Sequence, residues 1–163
     1  MIEKKEYISR RQELMSMMHK NSIAVISSAP EKVRSRDTNY PYKQNVNLTY
    51  LAGFPEPDSV LVLIPDREDG QVILFCRDKD PLRETWDGYR EGPASAIKRY
   101  GLDDAFPISD IDDILPNLIE GKDRLYYAVG KDAEFDKRIM DWVNHVKSPV
   151  SYTHLTLPTS NSV

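Results

Sequence analysis

Residues 36–57 read Arg36-Asp37-Thr38-Asn39-Tyr40-Pro41-Tyr42-Lys43-Gln44-Asn45-Val46-Asn47-Leu48-Thr49-Tyr50-Leu51-Ala52-Gly53-Phe54-Pro55-Glu56-Pro57. The first half of this stretch is rich in tyrosines, amides and cations, side chains that can line a recognition surface. The second half contains Gly53, which can take a positive φ, and two prolines, which fix φ, so the chain must turn there. The turn leads into residues 59–64, where an apolar run predicts a strand buried on both faces.

Strand and helix patterns alternate along the rest of the chain. Short apolar runs rich in β-branched residues predict strands at 22–27, 59–64, 71–76 and 125–129. A polar, hairpin-length connection joins the second and third of these strands, so they should pair antiparallel. Apolar spacing and capping residues predict helices at 2–20, 81–88, 94–100, 110–118 and 132–147, with Pro116 ending or kinking the fourth. Residues 1–150 are therefore predicted to form a single α/β domain, with a mixed, mostly buried sheet and helices on both faces.

The tail, residues 151–163, departs from this pattern. It is rich in Ser and Thr, has no Asp, Glu, Lys or Arg, and continues no helical or strand period. Such a segment resembles a translated vector or adaptor, which should be kept out of fold reasoning. We expect the tail to lie outside the fold and to be dispensable for stability. A native linker cut short is the alternative.

Composition and charge describe an ordinary globular chain. Its 163 residues are 40% hydrophobic and 29% charged, with a formal net charge of −4. Mild acidity with interspersed charges argues against a nucleic-acid partner. No run approaches the roughly 18 apolar residues of a membrane span, and the start lacks the apolar centre of a signal peptide. The single cysteine, Cys76, can form no internal disulfide, so we expect a cytoplasmic protein with no membrane partner.

Groups able to do catalysis are few. The three histidines lie on predicted helices or in the tail, without the partners that a metal site or a general base requires; they are His19, His145 and His154. Aspartates at 103–104 and 110–113 stand beside a helix start, where carboxylates more often act as caps. Cys76 has no histidine near it in sequence, which favours a buried structural thiol. We therefore predict no catalytic residue and no metal site in this chain.

The two tryptophans have different surroundings. Trp142 shares helical spacing with Phe135 and Ile139, which predicts that it packs in the core. Trp86 ends a short helix among charged residues, where a large aromatic side chain should be partly exposed. Exposed aromatic residues beside arginine are enriched in interfaces, so Trp86 and Arg90 are the candidate residues for an interface or for substrate access.

The pattern Arg-Asp-x-x-Tyr-x-Tyr-Lys-Gln-Asn-x-x-x-x-Tyr-Leu-x-Gly-Phe-x-Glu-Pro-Asp, which begins at Arg36, resembles the amino-terminal domain of Xaa-Pro aminopeptidases and their prolidase and creatinase relatives. The likeness covers about 140 residues, well beyond one chance motif. It continues through Phe75, Arg77, Asp78, Pro81, Glu84, Trp86-Asp87-Gly88, Gly92-Pro93 and Ala105-Phe106-Pro107-Ile108. The resemblance implies a creatinase amino-terminal-domain-like fold.

It also implies a role. Enzymes of this family remove an amino-terminal residue that precedes proline, using two divalent metals, typically manganese, in a carboxy-terminal domain. This chain would be the non-catalytic front domain, inactive alone, which helps to assemble subunits and shapes access for substrate. Its partners would be its own carboxy-terminal catalytic domain, further copies in a dimer or tetramer, and proline-containing peptides. Trp86 would then reach toward a neighbouring subunit's active-site opening.

Seven residues of the opening stretch are interpreted as a structural motif. They are Arg36, Asp37, Tyr40, Gln44, Tyr50, Gly53 and Phe54. For Arg36, Tyr40, Gln44 and Tyr50 the reason is that buried hydroxyl, amide and guanidinium groups need hydrogen-bond partners, which an adjacent polar set supplies. One alternative function is a free-standing binding module that uses the surface of residues 36–54. Another is the front domain of a prolidase-like or creatinase-like enzyme.

Overall fold

The computed structural model describes residues 2–31 and 42–146, and the backbone of 151–154. Its strands are β1 Ser22–Ser27, β2 Val60–Leu63, β3 Val72–Cys76, β4 Asp104–Pro107, β5 Arg124–Tyr127 and β6 Ser151–His154. Its helices are α1 Lys4–Met17, α2 Val46–Ala52, α3 Pro81–Asp87, α4 Pro93–Tyr100, α5 Ile111–Ile119 and α6 Ala133–His145. None of the helices described is long and apolar enough to cross a membrane.

The strands form one six-stranded mixed sheet in the order β4-β3-β2-β1-β5-β6. β2 pairs antiparallel with both β1 and β3. The predicted hairpin is therefore confirmed. The pairs β1–β5, β3–β4 and β5–β6 are parallel, and helices supply the crossovers that parallel pairing requires.

Both faces of the sheet are covered, which is why its central strands are continuous apolar runs. Alternate side chains of β1 belong to different cores: Ala24 and Ile26 pack with α1, α2 and α4, whereas Ile23 and Val25 pack with α5 and α6. Trp142 is 7% exposed in the second core, as predicted. The predicted α/β domain with helices on both faces is thus confirmed.

Arg11 of α1 lies inside the first core, 1% exposed. Its guanidinium donates hydrogen bonds to the carbonyl oxygens of Leu51 at 2.9 Å, of Tyr100 at 3.0 Å and of Gly101 at 3.0 Å. Burial lowers the pKa of Arg11 to about 10, while the nearby Asp103 carboxylate acts in the opposite direction. One cation therefore joins α1 to the carboxyl ends of α2 and α4, where backbone carbonyls lack helical partners.

Besides β6, α2 and β4 were not predicted from the sequence. Residues of α2 were interpreted as part of a surface segment, yet Asn45 caps this helix by accepting hydrogen bonds from the backbone N–H groups of Asn47 and Leu48. Gly53, with φ +67°, ends the helix in the left-handed conformation. β4 is only four residues long and lies at the sheet edge, so it leaves a weak apolar signal.

Of the two effects predicted for Pro116, an early end or a kink, the early end of α5 is not observed. The helix continues to Ile119, because Leu115 and Ile119 are buried on the sheet at 0% exposure and hold the turn that contains the proline. Elsewhere the predicted elements agree with the structure to within about three residues at each end, the usual scatter of helix and strand boundaries.

The expectation that the whole tail lies outside the fold is wrong for residues 151–154. This segment pairs in parallel with β5, from Arg124 opposite Ser151 to Tyr127 opposite His154. β5 would otherwise end the sheet with an open row of backbone N–H and C=O groups, and Tyr and Thr favour the extended conformation that completes it. Residues 155–163 lie outside the described residues, and the origin of the tail stays a prediction.

Candidate functional site

Residues 79–91, here called the Trp86 arm, leave the sheet after β3 and lead into α4. The arm contains α3, a helix in which no residue is buried. Three large side chains on the arm face water: Trp86 is 84% exposed, Leu82 78% and Tyr89 60%. Partial exposure of Trp86 was expected from its charged neighbours, and the side chain lies almost wholly in solvent. These are the three most exposed large apolar side chains among the described residues.

The ends of α3 follow from its local sequence. Asp80 caps the helix by accepting a hydrogen bond from the backbone N–H of Arg83 at 3.1 Å. Pro81 occupies the first turn, where its missing N–H costs nothing. The helix stops at Gly88, whose φ of +96° disfavours a side chain. Capping residues predicted a helix at 81–88, and the observed caps place Trp86 one residue before the last residue of α3.

The two ends of the Trp86 arm are tied together by Glu84. Its carboxylate accepts hydrogen bonds from the ammonium of Lys79 at 2.8 Å, the N–H of Asp80 at 3.3 Å and the N–H of Arg90 at 3.1 Å. Lys79 also donates to the carbonyl oxygen of Arg90 at 2.8 Å and lies 4.1 Å from the ring centroid of Tyr89. The Lys79 ammonium, and then the Arg90 N–H, lower the pKa of Glu84.

Two buried carboxylates anchor the carboxyl end of the arm. Glu56, 8% exposed, accepts a hydrogen bond from the backbone N–H of Glu91 at 2.8 Å and one from Arg77 at 3.3 Å. Glu91, 4% exposed, accepts hydrogen bonds from the hydroxyls of Tyr89 and Ser95. A groove of about 560 Å³ lies beside this anchor and is lined by residues that include Lys79, Tyr89 and Glu91. The sequence interpretation gave Glu91 no role; its position just before Gly92-Pro93, at a helix start, was the available signal.

Arg90 lies at the base of the arm, away from its tip. Its side chain is 14% exposed, and its Nη2 atom is 4.0 Å from the carboxylate of Asp87. The Nε atom is buried and has no hydrogen-bond partner. The two residues that sequence reasoning paired thus differ in exposure, since Trp86 is almost wholly in solvent and the Arg90 side chain is largely buried.

Gln44, from the opening stretch, makes all its side-chain hydrogen bonds to groups of this chain. Its carbonyl oxygen accepts from the N–H groups of Ala29 at 3.0 Å and Asn45 at 2.8 Å and from the Tyr42 hydroxyl at 3.0 Å. Its amide nitrogen donates to the carbonyl oxygens of Phe54 at 3.0 Å and Glu56 at 2.9 Å. The amide thus joins the loop after β1 to the loop after α2.

Of the other motif residues that the structure describes, Tyr50 lies in α2, and Gly53 and Phe54 follow it. The ring of Tyr50 stacks under the guanidinium of Arg10, whose carbon is 4.3 Å from the ring centroid. At Gly53 a Cβ atom would stand 2.6 Å from the ring of Tyr7. Phe54 is fully buried and meets Tyr100 edge to face. Arg36, Asp37 and Tyr40 lie outside the described residues.

Groups with catalytic potential are engaged in structure. The Nδ1 atom of His19 is 2.6 Å from the hydroxyl of Tyr126, and that of His145 is 2.6 Å from the carbonyl oxygen of Asp141. Burial, and then the Glu56 carboxylate, raise the pKa of Cys76 to about 12, so the thiol is protonated at neutral pH. Within residues 2–31 and 42–146, no group of three or more His, Cys, Asp or Glu side chains is placed to hold a metal.

Comparison with known proteins decides the family. The family model for the aminopeptidase P N-terminal domain matches residues 7–126. The chain belongs to that family. Over 136 residues it is 41% identical to the Xaa-Pro aminopeptidase of Escherichia coli, an alignment that covers 83% of this chain and 31% of the relative. The resemblance seen in the sequence motif is confirmed, and this aminopeptidase P N-terminal domain spans about a third of the length of that relative.

Solved structures agree. The aminopeptidase PepP of Pseudomonas aeruginosa superposes with a TM-score of 0.89 at 50% identity, covering 96% of this chain and 37% of that one. A zinc-substituted Escherichia coli aminopeptidase P in complex with product superposes with a TM-score of 0.82 at 38% identity, covering 88% of this chain and 33% of that one. That relative binds a metal, whereas the described residues of this aminopeptidase P N-terminal domain contain no corresponding group of ligands.

Proposed function

We propose that this chain is the non-catalytic front domain of a Xaa-Pro aminopeptidase and that its Trp86 arm contributes to subunit assembly and to substrate access. The observation that carries the proposal is the 84% exposure of Trp86 on an arm held in place by polar contacts. A solvated indole gives the isolated domain little stability. The same rigid side chain offers a large contact area to a partner at a low cost in conformational entropy.

The parent enzyme, on this proposal, removes an amino-terminal residue that precedes proline. Its carboxy-terminal domain holds two divalent metals, manganese by family resemblance, and the full-length protein is a dimer or tetramer. Sequence and fold similarity to Xaa-Pro aminopeptidases support this reading. A cytoplasmic location is favoured by the single cysteine, which is buried and free.

The arm would act in two ways, by contact with the entering peptide and by exclusion of bulk. An indole that projects from one subunit beside the active-site opening of another narrows the opening, so that short or flexible peptide ends enter and folded chains do not. The reading of residues 36–54 as a ligand-binding surface is less favoured, because Gln44 directs its hydrogen bonds into the domain.

The test is Trp86→Ala in the full-length enzyme. We expect kcat/KM for Xaa-Pro peptides to fall by about tenfold, equivalent to about 1.4 kcal/mol, which is typical of an important interface aromatic. The melting temperature of the 163-residue chain should not change, because Trp86 buries little surface within it. The 163-residue chain should also hydrolyse no Xaa-Pro peptide, whichever divalent metal is supplied.

Met140→Ala is the matched control, since Met140 is an exposed apolar residue, 47% exposed, on α6 rather than on the arm. It should leave kinetics and subunit assembly unaltered. Unchanged kinetics and an unchanged oligomeric state in Trp86→Ala would contradict the proposed role of the arm. Hydrolysis by the 163-residue chain would contradict its assignment as a non-catalytic domain.

A further inference from the structure

α3 cannot be held in place by its own helical propensity or by apolar packing. It is seven residues long, and none of its residues is buried. Isolated helices shorter than about 12 residues are marginal in water. The position of Trp86 must therefore come from polar contacts of the arm.

Glu84 is suited to supply that position. Its side chain is 13% exposed, and its carboxylate meets donors from both ends of the arm: Lys79 and Asp80 on the entering side, and Arg90 on the leaving side. Hydrogen bonds that involve a charged group are about twice as strong as neutral ones. The Glu84 carboxylate thereby links the two ends of the segment 79–90 to each other.

Helix geometry converts this closure into a direction for the indole. Each helical residue advances by about 100°, so Glu84 and Trp86 point about 200° apart. With the carboxylate of Glu84 turned toward the base of the arm, Trp86 is turned away from the domain into solvent, and Leu82 lies four residues before it on the same side. When the Glu84 side chain is fixed toward the domain, the Trp86 side chain is therefore fixed toward solvent.

We propose that Glu84 is a positioning residue, which, with Lys79 as its ionic partner, fixes Trp86 in the orientation that a neighbouring subunit uses. The inference rests on the proposed function for the role of Trp86. The ordering of the arm by Glu84 stands on the geometry of this chain alone. Glu84 touches no substrate in this scheme and acts through the indole.

The first experiment measures order in the 163-residue chain. In Glu84→Gln the side chain keeps its shape but loses the ion pair with Lys79 and one of its two acceptor oxygens. The NMR order parameters of the backbone amides of residues 82–89 should fall from about 0.85 to below about 0.6, and that of the Trp86 indole should fall with them. The amides of β1, β2 and β3 should keep their chemical shifts, which shows that the variant is folded.

Asp87→Asn is the matched control. It removes the same charge from the same arm, but Asp87 is half-exposed and its ion pair with Arg90 is 4.0 Å long. The order parameters should stay at the level of the unmodified chain. An arm that remains equally ordered in Glu84→Gln, or that loosens equally in Asp87→Asn, would overturn the assignment of Glu84.

The second experiment places both residues in one thermodynamic cycle in the full-length enzyme. Glu84→Gln should raise KM for Xaa-Pro peptides several-fold, and Glu84→Gln combined with Trp86→Ala should be no worse than Trp86→Ala alone. Additive losses would overturn the claim that Glu84 acts through Trp86. If Trp86→Ala alone has no effect, the proposed function fails, and the order parameters then decide by themselves whether Glu84 positions the arm.

Discussion

The Trp86 arm and the junction of α1, α2 and α4 are each held by one charged side chain that binds backbone groups from separate points of the chain. The Glu84 carboxylate accepts hydrogen bonds from backbone N–H groups at the surface. The Arg11 guanidinium donates hydrogen bonds to backbone C=O groups inside the protein. The contacts are of the same kind, but Arg11 is 1% exposed, whereas no residue of α3 is buried. We infer that a contact of this kind contributes to the stability of the domain where it is buried, because water cannot replace it. At the surface, where water can replace it, the contact fixes only the orientation of the segment.

The largest expected effect is at Arg11. Arg11→Met should destabilise the chain by about 3 kcal/mol or more, because three carbonyl oxygens at two helix ends would lose their donors inside the protein. The free energy of unfolding in urea measures this loss. Lys5→Met is the control, since Lys5 is a cation of the same helix whose side chain is 86% exposed. Losses of equal size in the two variants would remove the contrast between buried and exposed contacts.

An intermediate loss of stability is expected at Gly53, which ends α2 next to the junction of α1, α2 and α4. Gly53→Val should cost about 1–2 kcal/mol from its positive φ, and more because the added Cβ meets the Tyr7 ring. Gly121→Val separates the two terms, since Gly121 has φ +80° but open space around a Cβ. Thermal unfolding of both variants gives the comparison. A loss at Gly53 no larger than that at Gly121 would show that the Tyr7 ring yields freely.

The smallest effect on stability is expected from the titration of Glu84. Lys79 and the Arg90 N–H hold the pKa of Glu84 in the folded chain below the ordinary 4.5. The ionised Glu84 therefore contributes fully to stability above pH 4.5, and this contribution is lost as the pH falls through the lower pKa of the folded chain. Acidification over that range should lower the order parameter of the Trp86 indole while unfolding is little affected. Glu84→Gln should abolish this pH dependence. A pH dependence that persists in that variant would contradict its assignment to Glu84.

The central sheet could be predicted from sequence, and the reason is physical. β1, β2 and β3 are buried on both faces, so every residue must be apolar or small and the run is visible without knowledge of its neighbours. The caps of α3 were predictable for a related reason, because a capping residue acts within three positions of itself.

Contacts between distant residues could not be predicted in the same way. The carbonyl oxygens that Arg11 binds lie 40, 89 and 90 residues away, and nothing in the local sequence of α1 distinguishes Arg11 from the adjacent Arg10. Glu84 belongs to the sequence pattern of the family, but the hydrogen bonds of its carboxylate depend on the path of the loop that returns to Arg90. β6 was missed because a strand that completes a sheet edge needs little apolar pattern of its own.

Because Cys76 is buried, a cysteine introduced on the Trp86 arm can be labelled selectively. Its side chain is fully enclosed, and with a pKa raised to about 12 it has almost no thiolate at neutral pH. Because the chain has one cysteine, a cysteine introduced by Trp86→Cys would supply the single thiol that a maleimide or a spin label can reach. A reporter attached there in the 163-residue chain would record the motion of the arm without prior removal of Cys76.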